Sequence, residues 1–374
     1  MVNHKQELYV GVMTGTSADA IDAALVSFKS GRPPTLCSFY QHPLDPLLRT
    51  AILELAAPGL DEIDRMGVLD RLLGREIAAA VSTLLKGAQV ANSAVRAIGS
   101  HGQTIRHRPH LRPQPFTLQI GCPATIAEIT AITTVSHFRQ RDIAAGGEGA
   151  PLVPFAHRAL FQQPGESVAV VNIGGIANIT ILAEDGQVTG FDTGPGNMVM
   201  DHLMMELSEG RFSYDIDGDM AAEGSVSPPL LQKLLEHPFF KRPPPRSTGR
   251  EEFGSDFCHT LLSWPEISDS DRLATACELT AQTVAHSLEW LPTPPSRWLI
   301  CGGGVHNHHL MARLQSLLAP HPVISTDSVG IPAQAVEAIS FAILARQTLL
   351  GESNCLPSVT GANHPVTGGM ITPA

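Results

Sequence analysis

Leu8 to Val26 reads LYVGVMTGTSADAIDAALV: an apolar run, a Gly-Thr-Ser turn followed by two aspartates, and a second apolar run. Flanks of that kind extend as strands, so Gly15, Thr16 and Ser17 form a hairpin tip whose backbone N–H groups and hydroxyls face outward, a seat for phosphate. The pattern returns at VAVVNIGGIANITIL, Val168 to Leu182, with Gly174 and Gly175 at the turn and Asn172 and Asn178 beside it. Two such hairpins in one chain predict two related halves facing a shared ligand.

At 374 residues the chain exceeds what one hydrophobic core ordinarily supports, which predicts two domains. Hydrophobic residues at 43% and charged residues at 16% describe a globular protein, and no apolar run is long enough to span a bilayer. The opening MVNHKQELYVGV has only a strand's length of apolar residues and no small-residue cleavage site, so a cytoplasmic protein is expected. A net charge of −11 argues against general nucleic-acid binding, which needs a concentrated basic surface. Two basic clusters run against that balance: Arg106, His107, Arg108, His110 and Arg112, and Lys241, Arg242, Arg246 and Arg250. Each reads either as a solvated loop or as a contact for an anionic small molecule. The six cysteines are scattered without a CxxC pair and read as reduced, mostly buried thiols.

Hydrophobic periodicity orders the rest. Leu36 to His42 supplies a third strand, and PLLRTAILELAAP and EIDRMGVLDRLLGREIAAAVSTLLKGA supply helices. Val95 to Ser100 is a strand that delivers the polar segment SHGQTIRHRP; FTLQIG is another strand and PATIAEITAI a short helix. From Val168 the rhythm repeats: hairpin, strand QVTGFD, a helix from Gly196 to Leu207, a Pro-rich insertion, a long helix from Arg272 to Trp290, and strand RWLICG. The insertion FFKRPPPRSTGREEF holds three consecutive prolines, which excludes regular helix, and reads as a surface loop or lid. The C-terminal LPSVTGANHPVTGGMITPA returns to the first domain as a strand and tail. Boundaries near 125 and 350 give a first domain of residues 1–125 plus 351–374, and a second of 126–350 with the insertion near 238–252.

Within GFDTGPGNMVMD, Asp192 stands at a strand end and Gly194-Pro195-Gly196 just ahead of a helix. Amides at a helix start favour anions, and a carboxylate beside them is poised as a base or metal partner; plain helix capping is the other reading. Asn197 and Asp201 fall on one helical face. In WLICGGGVHNHHLMARL, Gly302, Gly303 and Gly304 let a flat or phosphorylated ligand approach the backbone. The GxGxxG order of a dinucleotide site and the GxxxxGK[ST] of a P-loop are both missing. His306 and His309 fall three apart on the predicted helix, but no acidic partner follows in HExxH spacing, so solvent-facing histidines are the better account than zinc. AAGGEGAPLVPFAH, Ala144 to His157, reads as a substrate loop or an interdomain crossover, preceded by Arg139, Arg141 and Asp142 as charges for a polar ligand. Glu337 opens a helix, where a carboxylate ordinarily complements the dipole.

In order along the chain, GVMTGTSADAIDAAL, GSHGQTIRHRP, RQRDIAAGGEGAPLVPFAH, VVNIGGIANIT, GFDTGPGNMVMD, RSTGREEF, CGGGVHNHHL, VEAISFAILA and LPSVTGA resemble the anhydro-N-acetylmuramic acid kinase family. That family lies within the actin, sugar-kinase and Hsp70 superfamily, and the resemblance covers nearly the whole chain. It implies an α/β protein of two RNase-H-like, actin-type ATPase domains, each a mixed five-stranded sheet flanked by helices, with the active-site cleft between them. It also implies a kinase that uses ATP and Mg2+. Such an enzyme opens the 1,6-anhydro ring of 1,6-anhydro-N-acetylmuramic acid hydrolytically and phosphorylates O6, giving N-acetylmuramic acid 6-phosphate and ADP in peptidoglycan recycling.

By the same likeness, Gly15, Thr16, Ser17, Ala18, Asp19, Ala20, Ile21 and Asp22 hold ATP phosphates. Gly174, Gly175 and Gly196 belong to the second phosphate hairpin and its surroundings, and Gly302, Gly303 and Gly304 contact the nucleoside. Asp192 is the base that takes a proton from the water attacking the anomeric carbon. His101, Gln103, Thr104, Arg139 and Glu337 bind the sugar, with Arg139 and Arg106 as candidates for its lactyl carboxylate. Asp19, Asp22 and Asp192 are the candidates for organising Mg2+ through water. A homodimer is what the resemblance suggests, without nucleic-acid or membrane partners. The chemistry agrees: phosphoryl transfer needs mainly positioning and charge neutralisation, and ring opening needs one base at neutral pH.

Departures from the family pattern stand beside these matches. The first turn ordinarily reads GTSLDGVD, and Ala18 and Ala20 here replace Leu and Gly; the change at Ala20 is tolerable if its φ is negative. Glu148 stands where Gln is frequent, His137 where Asp is common, and Gln334 is a further change. Two rival readings are another sugar kinase of the superfamily, which would vary SHGQT and GGxGAP, and a non-catalytic sugar or nucleotide sensor, which would lose Asp192 or the phosphate glycines. Neither pattern of loss is present.

Overall fold

The computed structural model describes residues 6–291 and 293–374. Residues up to Phe161 together with Ala335–Ala374 form one compact unit, and Gln162–Gln334 form the other. The first unit holds β1 (Glu7–Thr14), β2 (Ala20–Phe28), β3 (Thr35–Pro43), β4 (Val95–Ser100), β5 (Gln103–Arg108), β6 (Phe116–Ile120) and β7 (Thr134–Ser136). The second holds β8 (Val168–Ile173), β9 (Ile176–Leu182), β10 (Val188–Pro195), β11 (Arg297–Cys301) and β12 (Val323–Ser325), and β13 (Met370–Thr372) returns to the first.

The two main sheets run β13-β7-β4-β1-β2-β3 and β10-β9-β8-β11-β12. They repeat one plan. A central antiparallel hairpin, β1–β2 or β8–β9, is extended on one side by an antiparallel third strand, β3 or β10. On the other side lie two parallel strands, β4 and β7 or β11 and β12. This is the repeated α/β domain that the resemblance implied. The first sheet has six strands rather than five, because the tail strand β13 pairs antiparallel with β7. The segment after Ser100, expected to be only a polar stretch, forms β5 and pairs with β6 in a small sheet of its own, with Ile105 buried.

Strands covered on both faces are apolar without alternation, and β8 is buried at every residue, β1 from Tyr9 onward. In the first unit Val12, Ile21 and Leu25 pack with Leu73, Ile77 and Val81 of the Glu62–Gly87 helix. The helix Val336–Leu350 also lies against β1 and β4. A Cβ on Gly11 would fall 1.8 Å from the Ala338 carbonyl oxygen and one on Gly99 2.1 Å from that of Phe341, so only glycine lets this helix rest on the strand backbones. In the second unit Ile173, Ile179, Phe191 and Trp298 share a core with Leu273 and Val284. Those two belong to the helix Asp269–Ala285, which a Ser268/Asp271 capping box starts and a 3-10 segment continues to Trp290.

The expected boundaries at 125 and 350 are therefore displaced. β7, the helix Val153–Phe161 and the helix Val336–Leu350 all belong to the first unit. Their membership rests on pairing with β4 and packing on the Val336–Leu350 helix, which leave no mark on local composition. Among the described residues no helix is long and apolar enough to cross a membrane.

Candidate active site

The β1–β2 hairpin closes on a tight turn in which Ala18 N–H donates to the Gly15 carbonyl at 3.0 Å. Ala18 is buried at φ +51°, so the backbone constraint expected at Ala20 falls at Ala18, and Ala20 is already strand. A Cβ on Gly15 would meet nothing within 4 Å; the fold itself does not require glycine there. Asp19 Oδ1 lies 2.7 Å from Arg49 Nε, which also donates to the Ser17 carbonyl at 3.1 Å, so a cation outside the motif braces the tip. Thr16 is exposed, whereas Ile21 is a core residue. Asp22 accepts from Gln41 Nε2 at 3.0 Å, and burial pushes its carboxyl up to about 6. Among the described residues no three His, Cys, Asp or Glu side chains gather as a metal cluster.

In the second unit Gly174 and Gly175 occupy the β8–β9 tip. Gly175 C=O accepts from the N–H groups of Gly196 at 2.8 Å and Met198 at 3.2 Å, and Gly174 C=O accepts from Asn197 at 2.8 Å. The start of the helix Met198–Leu207 is thus docked on the hairpin, and those three amides are occupied rather than offered to an anion as expected. A Cβ on Gly196 would lie 2.3 Å from Gly174 O, so this glycine serves the docking.

Asp192 is 7% exposed and sits in β10 opposite Asn178 of β9. The register slips directly after it, a bulge of the kind that re-aims side chains beside reaction centres. Its N–H donates to the Arg246 carbonyl at 3.0 Å, its carbonyl accepts from Arg246 Nε at 3.0 Å, and its Oδ2 accepts from Thr248 N–H at 2.8 Å. Asn197, not Asp192, holds the cap position of the following helix. The Pro-rich insertion is consequently no free surface loop or lid at this point: it lies against β10, and Arg246 is buried. Arg242 pairs with Glu252 at 2.7 Å, and the side chain of Arg250 lies outside the described residues.

Gly302 follows β11 at φ +81°, with its N–H on the Ala333 carbonyl at 3.1 Å. A Cβ there would sit 2.4 Å from Asn172 Oδ1, and one on Gly304 2.4 Å from Ile173, whereas one on Gly303 would make only ordinary contact. The residues Gly303–His306 form a 3-10 turn, and Asn307 caps the helix His308–Leu317. His306 and His309 therefore do not share one helix, and His306 Nε2 faces Gln334 Nε2 at 3.0 Å.

The residues that the resemblance assigns to the sugar lie in the first unit. His101 follows β4, Gln103 and Thr104 open β5, and Glu337 is half-buried in the first turn of the helix Val336–Leu350. His101 and Arg139 meet directly: Arg139 Nε and one terminal nitrogen lie 3.1 and 2.9 Å from His101 Nε2. Arg139 also donates to the Gly149 carbonyl at 2.7 Å. Thr104 Oγ1 accepts from Gln119 Nε2 at 3.1 Å. Arg106 is instead committed to Glu62 at 2.8 Å and to the Leu55 carbonyl, away from a ligand role. Asp142 is fully buried and accepts from Gly149 N–H and Thr360 Oγ1 at 2.8 and 2.7 Å, so it shapes the glycine loop rather than offering a surface charge. Two of the departures have partners of their own: His137, at φ +55°, faces Gln140 at 3.1 Å, and Glu148 lies 3.7 Å from His110. Sequence reasoning missed Arg49 and Thr248; the short segments that carry them, LLRT and RST, held no chemical signal beyond one basic residue each.

The profile of the anhydro-N-acetylmuramic acid kinase family matches residues 7–374. The chain belongs to this family. A Xylella fastidiosa anhydro-N-acetylmuramic acid kinase is 46% identical over 371 residues, covering 98% of this chain and 96% of that one. Its Coxiella burnetii counterpart is 43% identical over 369 residues, covering 98% and 97%. One from Caldanaerobacter subterraneus is 41% identical over 387 residues, covering 99% and 98%. Membership makes the chain a kinase of this family and narrows the rival readings to departures from the family's own chemistry.

Proposed function

We propose that the chain is a cytoplasmic kinase of cell-wall recycling that uses ATP to convert 1,6-anhydro-N-acetylmuramic acid and water into N-acetylmuramic acid 6-phosphate and ADP. The observation that carries the reading is Asp192, a nearly buried carboxylate set on a strand bulge in a chain of this family. Asp192 takes a proton from water as the water oxygen bonds to the anomeric carbon. The bond from that carbon to O6 breaks, O6 bonds to the γ-phosphorus, and ADP leaves.

The residues Gly15 to Asp22 hold the ATP phosphates, with Gly174 and Gly175 forming the second phosphate hairpin and Gly196 docked against it. Gly302, Gly303 and Gly304 pass close to the nucleoside. Support comes from Gly15, Gly174 and Gly303, where an added Cβ would meet open space or only ordinary contacts, so the backbone there is open to a closely lying phosphate or nucleoside. Gln103, Thr104, Arg139 and Glu337 bind the sugar, with His101 orienting Arg139.

Magnesium, when bound, neutralises phosphate charge and keeps much of its water. Asp22 fits such an ion, since its carboxyl is held up near 6 by burial and a cation offsets that penalty; Asp19 already carries Arg49. The test follows ADP release from purified protein with ATP, Mg2+ and 1,6-anhydro-N-acetylmuramic acid. Wild type releases ADP and forms the 6-phosphate together, while a folded Asp192→Asn loses roughly 1,000-fold in kcat, the scale of general-base catalysis. Retained turnover in that variant overturns the base assignment.

A further inference from the structure

β10 is the edge strand of its sheet, with β9 on one side only. On the open side two residues of the Pro-rich insertion take hold of Asp192: Arg246 at its N–H and its carbonyl, and Thr248 at its carboxylate. The contacts reach across 54 and 56 residues of sequence, so they are tertiary and not a local turn. An edge covered in this way is protected from further pairing, but pairing alone needs no side chain.

Arg246 supplies one nonetheless, at a site where it is only 6% exposed. One of its terminal nitrogens donates to the carbonyls of Phe239, Phe240 and Arg242, while Nε donates to that of Asp192. Its guanidinium carbon lies 4.9 Å from the ring centre of Phe239 and 5.3 Å from that of Phe191, the residue before Asp192. A planar fork meets carbonyls on two sides at once; a lysine ammonium at the same place would not. Burial lowers the arginine's pKa to about 10, with Asp192 acting in the opposite direction. Arg242 is the other charge bearing on this guanidinium, and Asn178, opposite Asp192 on β9, is neutral.

We propose that Arg246 and Thr248 are positioning residues for the reaction: they fix the direction of the Asp192 carboxylate and keep it ionised for proton abstraction. The inference rests on the reading of Asp192 as the base. An amide donating to Oδ2 and a cation beside the strand both favour the carboxylate form. The covered edge also prevents β10 from shifting as the carboxylate gains its proton.

The experiment measures ADP release by the full-length protein across pH for Thr248→Pro, Arg246→Lys and Arg246→Met, with circular dichroism to establish folding. Thr248→Pro removes the amide donor and lowers kcat roughly 10- to 100-fold, with KM for ATP within about twofold and the acidic limb of the rate profile moved upward by about one pH unit. Arg246→Met moves the limb in the same direction. Arg246→Lys keeps the charge, so the limb stays while kcat falls. Folded variants with wild-type kcat and an unmoved limb overturn the proposal, and so does loss of fold in both Thr248→Pro and Arg246→Lys, which would assign the segment to folding alone. Asp192→Asn run alongside separates the two readings: an active Asp192→Asn removes the base itself, whereas an inactive one with unaffected Arg246 and Thr248 variants removes only their positioning role.

Discussion

Arg139 directs two N–H groups at the same acceptor, Nε2 of His101, from 3.1 and 2.9 Å. The other ring nitrogen, Nδ1, lies 2.7 Å from the Gly102 carbonyl, which can only accept, so Nδ1 carries the hydrogen and Nε2 is the lone pair. Burial, reinforced by the Arg139 charge, holds the imidazole well below its ordinary pKa. A fixed neutral histidine therefore orients Arg139, whose bond to the Gly149 carbonyl ties it to the glycine loop.

Replacing Arg139 by lysine keeps the charge and loses the fork. The expected outcome is a rise in KM for the anhydro sugar of roughly 10- to 100-fold, the equivalent of about 1.5–3 kcal/mol for a charged hydrogen bond, with KM for ATP little changed. Steady-state kinetics with each substrate varied in turn decide this; an unchanged sugar KM removes Arg139 from the sugar site.

The buried histidines predict a loss of stability in acid from the histidine range downward. His101 is held well below its usual pKa, and His107 and His157 are lowered to about 3, each chiefly by burial. In the unfolded chain these rings protonate near pH ~6.5, so stability is present above that pH and is lost as pH falls, by up to about 1.4 kcal/mol per pH unit for each ring. Asp22, raised to about 6, and Asp142, also raised, work in the opposite sense because the folded state takes up their protons first. Urea unfolding between pH ~7 and ~5 should show the net loss, and His157→Gln should flatten the slope by about one proton's worth. A folding free energy that stays level over that range contradicts the neutral, buried assignment.

Gly15 and Gly302 separate ligand approach from packing. Gly15→Val, with open space around the added carbons, should change folding stability by less than about 0.5 kcal/mol yet weaken ATP binding. Gly302→Ala, with its Cβ against Asn172 and a left-handed φ, should cost about 1–3 kcal/mol. Thermal melts and ATP titration of both variants check the pair. Normal ATP affinity in Gly15→Val takes the hairpin out of the phosphate site.

Both hairpins were legible because β1–β2 and β8–β9 are mostly apolar strands around glycine turns, and Asp192 because a carboxylate ahead of Gly-Pro-Gly is conspicuous. What escaped depended on distant partners. β5 carries Arg, His and Arg among six residues and becomes a strand only through β6. Arg246, in a Pro-rich basic stretch, reads as solvated until Phe239 and the Asp192 carbonyl are placed around it. The amides of Gly196, Asn197 and Met198 look available in one dimension because the carbonyls that occupy them come from a hairpin more than a strand away in sequence.

The helix Val336–Leu350 presses on the backbones of Gly11 and Gly99, near the beginning of the chain. A ribosome synthesising this protein therefore releases Gln162–Gln334, a unit complete in itself, while the earlier β1 and β4 still lack the helix that covers them. The unit made first is finished last. Its exposed apolar strands must be kept from other chains until the final segment emerges, so loss of that segment shows itself as aggregation of the N-terminal half before it shows as lost catalysis.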